Sequence, residues 1–154
     1  MDDELGLGFL AAYLGIVAVI GLLIYIVIGY SLGKLFEKAG KPLWAGFVPI
    51  YNLVVMLEVI GRPIWWLAIF LVAIVPIIGS LAVFLFSIII WIDFAKSYGR
   101  DTMWGVLLAL FSIITLPIMA FSSDTHYVGP AGKNDPNPFS TFSSGSSSGG
   151  STGA

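Results

Sequence analysis

The sequence predicts an all-α, polytopic membrane protein of about four transmembrane helices, with Pro-kinked or re-entrant middle segments. Three observations predict it. Of the 154 residues, 58% are hydrophobic and 10% charged, and the mean hydropathy is +0.97. Soluble domains carry roughly a quarter charged residues. Four stretches hold no charge at all, residues 5–33, 42–57, 63–92 and 102–123, against the roughly 20 apolar residues that cross a hydrocarbon core of about 30 Å. None shows the period-two alternation of barrel strands, so the backbone must satisfy its hydrogen bonds within helices. In water, a chain of this length buries only about 68–70% of its unfolded surface, which would leave large apolar patches exposed.

The first span is expected near 7–33. The chain opens Met1-Asp2-Asp3-Glu4, whereas a cleaved signal begins with basic residues, so this span is expected to be retained. The second is expected near 43–60, short and interrupted by Pro49. The third, near 64–95, contains Pro76 and Gly79, and the fourth, near 103–122, has Pro117 close to its end. Together they form a transmembrane domain over 1–130. Beyond it the composition turns to Gly, Ser, Pro and Asn, and 131–154 is expected to be a disordered Gly/Ser-rich tail that cannot offset its ordering entropy.

Lys and Arg mark the cytoplasmic side. Lys34, Lys38 and Lys41 follow the first stretch, and Lys96 and Arg100 follow the third. Single crossings then place both clusters inside, Arg62 and Lys133 outside, and both termini outside a plasma membrane. A second arrangement also gives four crossings. Residues 44–58 re-enter, Arg62 stays inside, and 63–92 form a hairpin turning at Pro76-Ile77-Ile78-Gly79. Single crossings are preferred, because each arm of that hairpin has only about 14 residues, roughly 21 Å of helix.

The net charge of -2 leaves no electrostatic footprint for nucleic acid. With no cysteine, thiolate catalysis and Cys-based metal sites are excluded. No cofactor or metal site is predicted, and the one histidine, His126, lies near the tail without an evident partner ligand.

One short pattern recurs. Gly40-Lys41-Pro42-Leu43-Trp44, Gly61-Arg62-Pro63-Ile64-Trp65 and, more loosely, Gly99-Arg100-Asp101-Thr102-Met103-Trp104 each set a glycine, a base and an indole before an apolar stretch. Glycine permits a left-handed helix end, proline suits a first turn, and bases and tryptophan favour the headgroup region. Lys41, Trp44, Arg62, Trp65, Trp66, Arg100 and Trp104 are therefore the expected interface anchors.

At these residues the sequence resembles a family of small prokaryotic multispan membrane proteins of unknown function. The matching features are Lys38-Ala39-Gly40-Lys41-Pro42-Leu43-Trp44, Pro49-Ile50-Tyr51-Asn52, Gly61-Arg62-Pro63-Ile64-Trp65-Trp66, Ile92-Asp93-Phe94-Ala95-Lys96-Ser97-Tyr98-Gly99 and Tyr127-Val128-Gly129-Pro130. The resemblance covers roughly residues 9 to 130 and implies a helical membrane fold. Some members carry an automatic signal-peptidase label, which implies a serine activated by a desolvated lysine. The nearest pair of that kind is Ser31 and Lys34, at the cytoplasmic end.

Asn52, Glu58 and Asp93 are the candidate intramembrane polar or path residues. A carboxylate at the centre of a span is unfavourable by about 2.5–3.5 kcal/mol on insertion scales. Glu58 can pair with Arg62 at i+4 and Asp93 with Lys96 at i+3. Asn52 follows Pro49, whose missing N–H leaves carbonyls free. Gly8/Ala12, Ala11/Gly15 and Gly29/Gly33 are small-residue pairs suited to close helix contact. The expectation is a non-enzymatic scaffold, assembly partner or accessory subunit, forming a homo-oligomer or joining a membrane-protein partner in the lipid bilayer. A small-solute transporter or channel is the alternative, and a membrane peptidase is a distant third.

Overall fold

A computed structural model describes residues 2–72 and 74–131. Among them every regular element is helical: α1 (Asp2–Lys38), a 3-10 helix (Leu43–Phe47), α2 (Pro49–Ile60), a second 3-10 helix (Ile64–Ala68), α3 (Ile69–Val72), α4 (Ile78–Ser97) and α5 (Thr102–Phe121). Apart from Ala131, the expected tail lies outside the described residues.

Three helices, α1, α4 and α5, are long and apolar enough to cross a membrane. The expected second span is instead the five-residue 3-10 helix Leu43–Phe47 followed by the 12-residue α2. At 1.5 Å per residue α2 is about 18 Å long, well short of the hydrocarbon core.

α1 contains no proline and is built almost wholly of apolar residues with small glycine gaps. Its 37 residues make a rod of about 55 Å. Residues 3–27 are exposed along their whole length, and burial begins only around Gly29. The core therefore sits at the C-terminal end of α1. Leu35 and Phe36 pack there with Val55, Val59 and Ile60 of α2, Phe94 and Tyr98 at the end of α4, and Leu108, Leu116 and Met119 of α5.

After α1 the chain dips and returns three times. In the first hairpin the 3-10 helix runs back along α1 so tightly that a Cβ on Gly46 would overlap the Gly29 carbonyl and the Gly33 backbone. The small pair Gly29/Gly33 thus accommodates the chain's own next segment. The Tyr25 hydroxyl donates to the Phe47 carbonyl beside it, and α2 then climbs back. The second hairpin descends through Ile64–Ala68 and α3, turns at 74–77 and returns along α4. Trp66 meets Phe86 edge-on at 5.4 Å between ring centres. At its turn Ile77 has φ +66°, and the Ile78 N–H donates to the Pro76 carbonyl at 2.8 Å.

The third hairpin is α5 itself. Its helical geometry breaks at Phe111 (φ −130°, ψ 42°). Arg100, before its first turn, reaches the Ser122 hydroxyl beyond its last turn at 3.1 Å. The ends of a straight 20-residue helix would stand about 30 Å apart. The Thr115 hydroxyl, at 3.4 Å from the Leu107 carbonyl eight residues back, records the same reversal. Each half is only about 15 Å long.

The prolines do not kink helices as expected in the middle of the chain. Pro49 occupies the first turn of α2, where its missing N–H has no partner to lose. Pro76 lies in a turn, and the break in α5 is six residues before Pro117.

Candidate functional site

The three Gly-base cassettes form the same turn three times. Gly40, Gly61 and Gly99 have φ of +75°, +74° and +71°, a left-handed conformation that disfavours a Cβ. The next N–H in each case reaches back six residues inclusive: Lys41 to the Phe36 carbonyl at 2.8 Å, Arg62 to Leu57 at 2.9 Å and Arg100 to Ala95 at 2.9 Å. This is the Schellman closure of a helix end. Pro42, Pro63 and Asp101 then adopt extended backbone and launch the next descent.

The base in each cassette clasps the returning arm of the hairpin that it starts. Lys41 Nζ lies 2.6 Å from Glu58. Arg62 donates through Nε to Asp93 Oδ2 at 2.8 Å, with Nη2 also at 2.8 Å. Arg100 donates through Nε and Nη2 to the Thr125 hydroxyl at 3.2 and 2.8 Å, besides its bond to Ser122. Glu58, the expected local partner of Arg62, also pairs with Lys41. Gly61 has already ended the helix, so the guanidinium turns toward α4.

All these groups lie in one polar layer. Arg62 sits in it beside Asp93, and the stretch 122–131 packs against it. The Val128 N–H donates to the Ser97 carbonyl at 2.8 Å, the Tyr127 hydroxyl to the Val59 carbonyl at 2.7 Å, and the Ala131 N–H to the Ser97 hydroxyl at 3.1 Å.

Burial differs sharply among the clasps. The Asp93 side chain is 0% exposed and that of Arg62 11%, whereas Lys41 and Glu58 are 30% and 59% exposed. Among the expected anchors, Trp66 lies under the Arg62 guanidinium at 4.7 Å and Trp104 under that of Arg100 at 4.8 Å. Trp44 stacks on Tyr51 at 4.9 Å and stays exposed, as does Trp65.

Asn52 sits apart from this layer. Its amide donates to the Gly46 carbonyl at 3.4 Å, and its Oδ1 is buried without a hydrogen-bond partner. It lines a cavity of about 120 Å³ together with Leu32, Met56, Phe70, Ser87 and Trp91.

Ser31 and Lys34 do not meet. The serine hydroxyl donates to the Val27 carbonyl at 2.7 Å, and the lysine pairs with Glu37 at 2.8 Å. His126 is exposed, and no three His, Asp or Glu side chains converge among the described residues.

Two groups whose role sequence reasoning missed hold the layer together. The Tyr98 hydroxyl donates to the Leu35 carbonyl and joins α4 to α1. Burial, aided by neighbouring Tyr127, pushes its phenol far above the ordinary tyrosine range. Lys38 Nζ donates to the Ser122 and Met119 carbonyls at 2.9 and 3.4 Å, holding the far end of α5 to α1. Tyr98 and Lys38 both lie within the motifs that carry the family resemblance, but spacing along one helix gave no sign of partners so distant in the chain.

Residues 44–130 match the family of unknown function DUF5684. The match covers more than half of the chain, beginning after α1 and ending at Pro130. No curated protein and no solved structure matches it.

Proposed function

The chain belongs to the DUF5684 family of unknown function, and on that premise we propose that it is a non-enzymatic membrane scaffold, an assembly partner or accessory subunit of a membrane complex. The observation that carries this reading is the unpartnered length of α1. Residues 3–27 are exposed along their whole length, and a Cβ on Gly8 or Gly15 would meet nothing within 4 Å. These glycines, with Ala11 and Ala12, would let a partner helix approach closely. The clasped hairpins meanwhile direct the polar groups of the basic layer to holding the fold together.

In the plasma membrane, α1 crosses once and the three hairpins re-enter from the basic side. Lys and Arg assign that side to the cytoplasm. The N-terminus is then outside, and residues 122–131 are inside. Non-helical backbone at depth is tolerated where protein buries it, as Gly29 and Gly33 do for the first 3-10 helix.

Native size after mild solubilisation tests the proposal. A homo-oligomer or larger complex is expected, and a lone monodisperse monomer refutes it. The cavity beside Asn52 favours a second reading, a small-solute transporter or channel, because a buried amide oxygen without a partner suits a polar ligand. Solute flux into reconstituted vesicles tests that reading, and vesicles that stay tight to a broad panel of solutes remove it.

A further inference from the structure

We infer that Lys38, Arg100, Ser122 and Thr125 form a binding site for a phosphate-type anion, where the end of α1 meets the closing end of α5. Lys34, Lys41 and Arg62 each have a carboxylate within 2.8 Å. Lys38 and Arg100 have none within ion-pairing distance among the described residues, yet they meet at the same residue. Lys38 Nζ holds the Ser122 carbonyl at 2.9 Å, and Arg100 Nη2 holds the Ser122 hydroxyl at 3.1 Å. Two cations brought together without a counter-charge repel each other, and an anion bridging them removes that repulsion.

The donors left over suit a tetrahedral oxyanion. Arg100 engages Nε and Nη2 with the two hydroxyls and leaves Nη1 unengaged among the described residues. The ammonium of Lys38 has three N–H groups for two carbonyls, and the Ser122 hydroxyl, having accepted from Arg100, still has its proton to donate. Trp104, 4.8 Å beneath the guanidinium, fixes the plane of the fork, and a planar fork with an adjacent ammonium is a phosphate-binding pair. The nearby acids do not compete. Asp101 accepts from the Trp104 N–H at 3.3 Å, and Asp124 is exposed with no ion pair among the described residues.

The phosphate can belong to an anionic lipid headgroup or be free, and two arms of one experiment separate these sources. In the first, the full chain is reconstituted in equal parts phosphatidylcholine and phosphatidylglycerol, and retained lipid is counted by native mass spectrometry. Wild type and Lys34→Gln should keep phosphatidylglycerol preferentially. Lys38→Gln and Arg100→Gln should lose that preference by about tenfold or more, the scale of one charge-assisted hydrogen bond. In the second, thermal stability is compared in pure phosphatidylcholine with inorganic phosphate or with chloride at matched ionic strength. A phosphate-specific rise in wild type that Lys38→Gln abolishes identifies the free anion. Arg100→Gln also loosens the clasp of α5; if it fails to fold, Lys38→Gln decides alone, since it removes the charge and leaves the Arg100 clasp in place. If that variant matches wild type in both arms, the site does not exist.

Discussion

Replacing Asp93 by leucine removes the carboxylate that clasps the middle hairpin and takes the ion-pair partner at 2.8 Å from the Arg62 guanidinium. The pair is nearly dry, at 0% and 11% exposure, so solvent screens it little. Leucine keeps the four-atom branched skeleton of aspartate with bulkier methyls in place of the oxygens, so a smaller overpacking term adds to the electrostatic loss. Breaking a buried pair by removing one partner destabilises by about 3–5 kcal/mol, because the remaining charge is buried without compensation. Arg62 keeps the face of Trp66 at 4.7 Å, worth roughly 0.5–2 kcal/mol, so the expected loss is at the lower end, about 3 kcal/mol, or roughly two powers of ten in the folding constant. Insertion should be intact, shown by resistance to alkaline carbonate, while tryptophan fluorescence during detergent-driven unfolding reports the stability. Glu58→Gln breaks the half-solvated clasp to Lys41 and should lose under about 1 kcal/mol. The double variant Arg62→Leu with Asp93→Leu should recover most of the loss, since it leaves no buried charge. An Asp93→Leu protein as stable as wild type, or one no worse than Glu58→Gln, would refute the buried-clasp argument.

Because the chain has no cysteine, single-cysteine labelling reads the topology cleanly: Pro42→Cys, Pro63→Cys and Ser123→Cys should all react from one side of the membrane and Glu4→Cys from the other. Labelling of Ser123→Cys from the Glu4 side would mean that α5 crosses straight through. Gly46→Ala should lose about 1–3 kcal/mol through overpacking against the Gly29 carbonyl, whereas Gly21→Ala, with nothing within 4 Å, should be close to neutral; unfolding midpoints compare the two. Tyr98→Phe should lose about 0.5–1.5 kcal/mol at neutral pH with its bond to the Leu35 carbonyl. Burial holds this phenol neutral in the folded state while the unfolded one ionises near 10. Wild-type stability should therefore fall by about 1.4 kcal/mol for each pH unit above 10 on account of this group, and an alkaline titration of Tyr98→Phe should lack that contribution.

Hydropathy identified the solvent and the helical backbone, since a lipid-facing chain must close its own hydrogen bonds. The recurring Gly-base pattern was equally legible, because a Schellman turn is complete within six consecutive residues. Local spacing also drew attention to Asp93 as a carboxylate at depth and offered Lys96 beside it, but gave no sign of Arg62. What the sequence left open were the pairings made across the fold: Arg62 with Asp93, 31 residues away, and Arg100 with Ser122 and Thr125, 22 and 25 residues away. Those contacts decide that Arg62 and the stretch 122–131 share one polar layer with Lys41. They also decide that α5 returns to where it began. Periodicity and composition do not separate an apolar helix that crosses from one that reverses, because both bury the same side chains and satisfy the same backbone groups. Only the packing of α5 against α1 and α4, with Arg100 holding its two ends together and Lys38 tying the far end to α1, makes that choice.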